Sequence, residues 1–104
     1  MNPFDIFITY VSWGNDGKIR PVLVLERQDT VVFVFSITSR YEGKSESIRA
    51  GYYRINDWRE AGLDRPSHVD TNNILDLPLL VLAGKTPIGR LTAADEARLI
   101  EFIG

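Results

Sequence analysis

At 104 residues, with 44% hydrophobic and 25% charged content, the chain is long enough for one compact domain, residues 1–104, around a single core. A formal net charge of -2 argues against binding nucleic acid through bulk electrostatics, and the absence of cysteine rules out disulfides and thiolate metal sites. No stretch approaches the ~18 apolar residues of a membrane-spanning helix, and Met1-Asn2-Pro3-Phe4-Asp5 lacks the cationic start of a secretory signal, so a soluble, cytoplasmic protein without a membrane partner is expected.

In chain order, Asp5 to Val11 reads as a strand with apolar groups on both faces, hence a strand covered on both sides. Ser12 to Lys18 carries Gly14, Asn15 and Gly17 and reads as a turn or loop. Pro21 to Leu25 and Thr30 to Ile37 are β-rich runs. Arg27-Gln28-Asp29 between them is short enough for a hairpin, and Pro21, lacking an N–H, is expected at a strand start or an edge. Residues 40–46 are a polar loop, and Ser47 to Ile55 reads as a further strand. Asn56 to Gly62 reads as a short helix, with Asp57 as cap, Glu60 three residues on, and Gly62 as stop. Ser67 to Ile74 is another strand, and Leu79 to Leu82 a short strand or an apolar turn. The last element is a helix capped by Thr92, with Ala93, Ala97, Leu99, Ile100, Phe102 and Ile103 as a broad apolar stripe for the core. Strands followed by one terminal helix predict a mainly β fold, a small curled antiparallel sheet or barrel with a short helix and a C-terminal helix.

Two segments point to chemistry. Gly17-Lys18-Ile19-Arg20-Pro21-Val22-Leu23-Val24-Leu25 sets Arg20 between a Gly-rich turn and an apolar strand, where a planar guanidinium can meet a phosphate with two parallel donors. Ser36-Ile37-Thr38-Ser39-Arg40 closes the next strand with hydroxyls and a second cation. Nine of the twelve basic residues, Lys18, Arg20 and Arg40 among them, fall between residues 17 and 65, interleaved with seven acids. That mixture reads as a local cationic face or as ordinary solvated charge. Trp13 beside the turn can stack on a base or cap the end of the barrel. His68, the single histidine, is a general acid or base near neutral pH or a half-exposed strand residue, and it allows no His pair or metal cluster. Asp70 follows two residues on, along the same strand face.

These motifs, in this order, resemble the MazF/PemK family. Gly17 to Leu25 is similar to the family's Gly-x-x-Arg-Pro-x-x-Val-(Leu/Ile) run, and Ser36 to Arg40 to its Ile-Thr-(Ser/Gly) segment. Gly62-Leu63-Asp64-Arg65-Pro66-Ser67-His68-Val69 resembles Gly-Leu-x-x-(Pro)-Ser-(Tyr/x)-Val, and Ile88-Gly89-Arg90-Leu91-Thr92 its Ile-Gly-x-Leu-(Ser/Thr) ending. Together they span residues 5–103. The resemblance implies an SH3-like barrel, a homodimer, and the toxin of a type II toxin–antitoxin system. It implies metal-independent, cofactor-free endoribonuclease activity on single-stranded RNA through attack by the 2′-hydroxyl, restrained by a cognate antitoxin. Arg20 would match the catalytic Arg and Thr38, with Ser39, the facing hydroxyls. Trp13, Lys18, Arg40, His68 and Asp70 would contact RNA, and a loop over residues 12–19 would cover it. The chain departs from the family at Asn72, which stands where some members carry an acid, and in Phe4 to Tyr10, which replaces the usual opening. The reading from another class is a barrel that keeps the fold without the activity and serves as a protein- or nucleic-acid-binding module.

Overall fold

The computed structural model describes residues 1–104, with the side chain of Trp13 lying outside the described residues. In chain order it holds β1 (Asp5–Trp13), β2 (Asp16–Gln28), β3 (Val31–Thr38), α1 (Glu46–Arg49), β4 (Tyr52–Arg54), β5 (His68–Pro78), α2 (Leu79–Leu82), β6 (Gly89–Arg90) and α3 (Ala93–Ile103). The strands form one antiparallel sheet in the order β4-β5-β3-β2-β1-β6, curled into a half-barrel. The mainly β fold with a C-terminal helix expected from the sequence is the one observed.

The period-2 alternation of three apolar strands explains the core. Ile6, Leu23, Phe35, Ile37 and Val69 point to one side of the sheet, where Tyr53, Leu91 and Leu99 complete a buried cluster. Phe7, Val22, Val24, Val32 and Val34 point to the other, where Leu82 of α2 closes a second cluster. β1 is therefore covered on both faces only at Ile6 and Phe7: its Phe7, Thr9 and Val11 face is buried, but Ile8 and Tyr10 on the other face are 40% and 56% exposed, short of the strand covered on both sides that its composition suggested. Each fully buried aliphatic side chain contributes about 1.5–3 kcal/mol to such a core.

Local chemistry overrode the sequence pattern at five places. The Ser12–Lys18 turn is shorter than expected: β1 and β2 pair as far as Trp13↔Asp16, so Gly14 and Asn15 alone make the turn. Arg20 therefore lies inside β2, opposite Thr9, and not at its start. Pro21 is also internal, but the β2–β3 ladder begins only at Val22↔Ser36, so the residue without an N–H sits just beyond that ladder. Residues 47–55 are not one strand. Ser45 accepts the Ile48 N–H at 3.3 Å and caps α1, and only Tyr52–Arg54 pairs as β4. Asn56 to Gly62 makes a single turn rather than a helix, with Ala61 N–H donating to Asp57 O at 3.1 Å and Leu63 N–H to Trp58 O at 3.0 Å around Gly62, whose φ is 92°. Leu79–Leu82 is a helical turn, α2, since four apolar residues carry no period long enough to separate helix from strand.

The apolar stripe of α3 is the fifth case. Leu99 is buried, but Ile100, Phe102 and Ile103 are 58%, 43% and 54% exposed. The inward position one turn before Leu99 is taken by Asp95, wholly buried. Its carboxylate accepts the Tyr53 hydroxyl at 2.5 Å and the backbone N–H groups of Asn56 and Asp57 at 3.1 and 2.8 Å. Thr92, the helix cap, accepts the Asp95 N–H at 3.3 Å and donates its hydroxyl to Asp57 at 2.9 Å. An acid thus ties α3, β4 and the 56–62 turn together.

Two backbones meet where that turn crosses β6. A Cβ on Gly89 would overlap the Ala61 carbonyl, which is why the Ile-Gly-Arg segment carries glycine. Gly89→Ala is expected to lower the unfolding free energy by about 2–3 kcal/mol, the scale of overpacking in a site that cannot give way. Urea unfolding followed by circular dichroism checks it, and an unchanged midpoint would contradict the contact.

Candidate functional site

The sheet forks. β2 pairs with β3 only over Val22–Gln28, while residues 16–21 of β2 continue with β1 alone and Ile37 and Thr38 of β3 continue with β5 alone. Irregular register occurs on both ladders beside the fork, between Val24 and Glu26 on β2 and between Val34 and Ser36 on β3. The second is large: β5 jumps from Leu75 to Asp70 across from two residues of β3. The freed β5 backbone turns to α1 instead, where the Thr71 N–H donates to Gly51 O at 2.8 Å and the Asn72 amide to Ile48 O at 2.9 Å. Bulges of this kind re-aim side chains next to a site.

A crevice of about 310 Å³ opens in the fork, with Lys18, Arg20, Thr38 and Arg40 on its wall together with Pro21 and Leu63. Arg20 Nη1 donates to the Ser36 Oγ at 3.0 Å. Ser36 is buried, so the guanidinium is tethered from beneath by a fixed hydroxyl. Cross-strand register extends this face outward: Ser36 pairs with Asp70, which pairs with Tyr52, and in the next row Thr38 pairs with His68, which pairs with Arg54. Arg20, Ser36, Thr38, His68, Asp70 and Tyr52 thus share one side of the sheet.

The electrostatics are those of converging cations. The Lys18 ammonium is held below its usual pKa by the Arg20 charge first, then by burial, and then by Arg40 and Lys44. Four positive groups therefore gather at the mouth of the fork in a chain whose net charge is negative. Such clustering raises the free energy of the empty site and lowers that of an anion bound there. Burial raises the Tyr52 phenol, with Asp70 adding to the effect and Arg20 opposing it, so Tyr52 keeps its proton at neutral pH. Burial and then the Arg54 charge push His68 below 6.5, which leaves the imidazole neutral at neutral pH. Its Nδ1 is buried without a hydrogen-bond partner among the described residues.

The sequence-predicted residues fall into three groups. Lys18, Arg20, Thr38 and Arg40 come together at the fork, with the Thr38 hydroxyl accepting the Arg40 N–H at 3.1 Å. His68 and Asp70 lie on the same face further out; the His68 ring stacks on Tyr41, and the Asp70 carboxylate accepts both the backbone and side-chain N–H of Asn72 at 2.9 Å. Ser39 stands exposed in the bend after β3, beyond the alternation that gives Ser36 and Thr38 a shared face, yet it lines the same crevice as Arg20 and Thr38. The expected 12–19 covering loop is strand apart from Gly14 and Asn15, and the Trp13 side chain lies outside the described residues.

Sequence reasoning gave Ser36 no role of its own within the Ser36–Arg40 run and passed over Tyr52. The signal for Ser36 was present, because a hydroxyl two residues before Thr38 on a strand must share its face. No comparable signal marked Tyr52, whose place depends on where β4 starts. Among the described residues no three His, Asp or Glu side chains gather as a metal site. Among them, too, no helix is long and apolar enough to cross a membrane.

No protein-family model matches the chain. A search of curated proteins likewise finds no match. Solved structures do match. The Mycobacterium tuberculosis toxin MazF-mt6 superposes with a TM-score of 0.71 at 31% identity, covering 96% of this chain and 92% of that one. A crystal structure of an Mtb toxin superposes with a TM-score of 0.63 at 33% identity, covering 82% of this chain and 89% of that one.

Proposed function

Because the chain belongs to the MazF toxin family, we propose that it is the toxin of a type II toxin–antitoxin pair and a metal-independent endoribonuclease that cuts single-stranded RNA in the cytoplasm. The observation that carries this reading is the Arg20 guanidinium, held by Ser36 at 3.0 Å in a fork where Lys18, Arg40 and Lys44 add their charge.

The chemistry follows from those groups. The ribose 2′-hydroxyl attacks the adjacent phosphorus, the P–O5′ bond breaks, and the products are a cyclic phosphate and a 5′-hydroxyl. Negative charge builds on the non-bridging oxygens as the phosphorane forms. Arg20 offers two parallel N–H donors to it, and Thr38 a hydroxyl, with Ser39 beside it at the bend. Each preorganised donor of this kind contributes about 2.7–4 kcal/mol to transition-state stabilisation. In this reading the 2′-hydroxyl proton leaves to a carboxylate, and Asp70 is the acid on the same face as Arg20. Arg20 also stands by to assist protonation of the departing 5′ oxygen. Lys18 and Arg40 hold the flanking phosphates. The antitoxin competes for the same cations with an acidic segment, and the toxin works as a homodimer.

Induced expression of wild type and of Arg20→Ala tests this. Wild type is expected to arrest growth and fragment cellular RNA, with cleavage by the purified protein persisting in excess EDTA. Arg20→Ala is expected to do neither at the same expression level. Harmless growth with intact RNA in both would remove the enzyme and leave a binding module. Cleavage lost in EDTA and restored by magnesium would remove the metal-free mechanism.

A further inference from the structure

The cations Arg40 and Lys44 do not sit on a strand. They belong to residues 39–45, Ser-Arg-Tyr-Glu-Gly-Lys-Ser, which link β3 to α1. Every residue in that link is exposed except Tyr41. It contains Gly43 at a φ of 82°, and its composition supplies no apolar group besides Tyr41 to hold it against the sheet. A polar link of this kind pays about 1–2 kcal/mol of backbone entropy per residue to adopt one conformation, so something must fix it.

Tyr41 is enclosed on both faces. Its ring stacks on His68 with centroids 4.5 Å apart and planes 23° from parallel. The Arg49 guanidinium, from the last residue of α1, lies over it 5.2 Å from the centroid. Tyr52 closes the edge, 6.2 Å from Tyr41 and 6.0 Å from His68. The neutral imidazole favours this packing, since a charged ring there would face Arg54 on β4 and Arg49 across Tyr41. One aromatic side chain therefore joins β5, β4 and α1 at the point where the cationic link passes.

We infer that Tyr41 is a positioning residue for the phosphate site: its ring, held between His68 and Arg49, fixes residues 39–45 so that Arg40 and Lys44 face Lys18 across the fork. The depressed Lys18 ammonium agrees with that placement, because both link cations act on it. The geometry stands by itself; its consequence for RNA rests on the ribonuclease reading.

The test uses full-length protein and a single-stranded oligonucleotide carrying 2′-O-methyl groups, which binds but cannot be cut. Binding is measured against salt concentration for wild type, Tyr41→Phe, Tyr41→Ala and Arg40→Ala/Lys44→Ala. Tyr41→Ala is expected to weaken binding about tenfold and to flatten the slope of log K against log salt by roughly 0.7–1.4, the loss of one or two phosphate contacts on a single strand. Tyr41→Phe, which keeps the ring, is expected to restore both. On the Arg40→Ala/Lys44→Ala background, Tyr41→Ala is expected to cost nothing further, since it acts through those two cations. An unchanged slope in Tyr41→Ala, or a full additional loss on that background, overturns the inference. Should Tyr41→Ala fail to fold, Tyr41→Leu keeps the apolar bulk without the stack and is judged by the same criteria. Hydrogen exchange separates the two readings. Faster exchange over residues 39–45 in Tyr41→Ala, with wild type that does not bind the oligonucleotide, supports the clamp and removes the ribonuclease reading. Unchanged exchange removes the clamp alone.

Discussion

Asp95→Ala is expected to cost about 3–5 kcal/mol of stability, enough to leave much of the chain unfolded at 37 °C. The buried carboxylate is the acceptor for the Tyr53 hydroxyl and for two backbone N–H groups, at Asn56 and Asp57. Truncation leaves three donors in a dry site, each carrying an unpaired penalty of about 1–3 kcal/mol, partly relieved by local relaxation. The pH dependence carries a sign of its own. Burial alone would raise the Asp95 pKa; the hydrogen bonds from Tyr53, Asp57 and Asn56, with the Arg98 charge, outweigh it and hold the group below 3.8. A folded pKa lying below the unfolded one means the stabilisation is fully present above about pH 4. It is lost as pH falls through the folded value. Wild type should therefore lose unfolding free energy steeply at acid pH, and Asp95→Asn should start lower and fall less. Urea titrations from pH 3 to pH 7 measure both, and parallel curves for the two proteins would show that Asp95 does not carry the acid sensitivity.

The same residue shows what the sequence could and could not say. Thr92 read correctly as the helix cap, because that pattern is local. That Asp95 points inward was not readable, since its donors come from β4 and the 56–62 turn, some forty residues away. Its inward place is also why the stripe built on Ile100, Phe102 and Ile103 overestimated how much of α3 is core. The strands were legible wherever alternation was long, as in β1, β2 and β3. It failed at Ser47–Ile55, where the Ser45 hydroxyl caps a helical turn and only Tyr52–Arg54 pairs as strand. At the site, Arg20 and Thr38 were readable as a pair from their motifs, although Arg20 lies inside β2 and not at a strand end. The fork that separates them, and the bulge that leaves Ser36 facing Arg20, arise from register between strands distant in sequence.

That register makes a prediction about what the guanidinium contributes beyond its charge. Arg20→Lys keeps a cation in the fork but loses the planar pair of donors and the tether to Ser36. If charge alone mattered, the lysine variant would retain most of the cleavage rate. The geometry argues otherwise: Ser36 is buried, its oxygen is fixed by β3, and Nη1 lies 3.0 Å from it, so the remaining guanidinium donors are aimed before RNA arrives. Arg20→Lys is expected to lower kcat by about 10²–10³-fold, the scale of a lost oxyanion donor, with little change in the salt dependence of binding, since the charge count is unchanged. Ser36→Ala keeps the guanidinium and removes the hydrogen bond that aims its Nη1. Loss of one hydrogen bond to a charged group, about 1.5–3 kcal/mol, predicts a fall of ~10–100-fold in kcat with KM nearly constant. Single-turnover cleavage of a defined oligoribonucleotide separates these effects. A lysine variant within threefold of wild type would reduce Arg20 to a counter-charge, and the tether to Ser36 would then have no part in the chemistry.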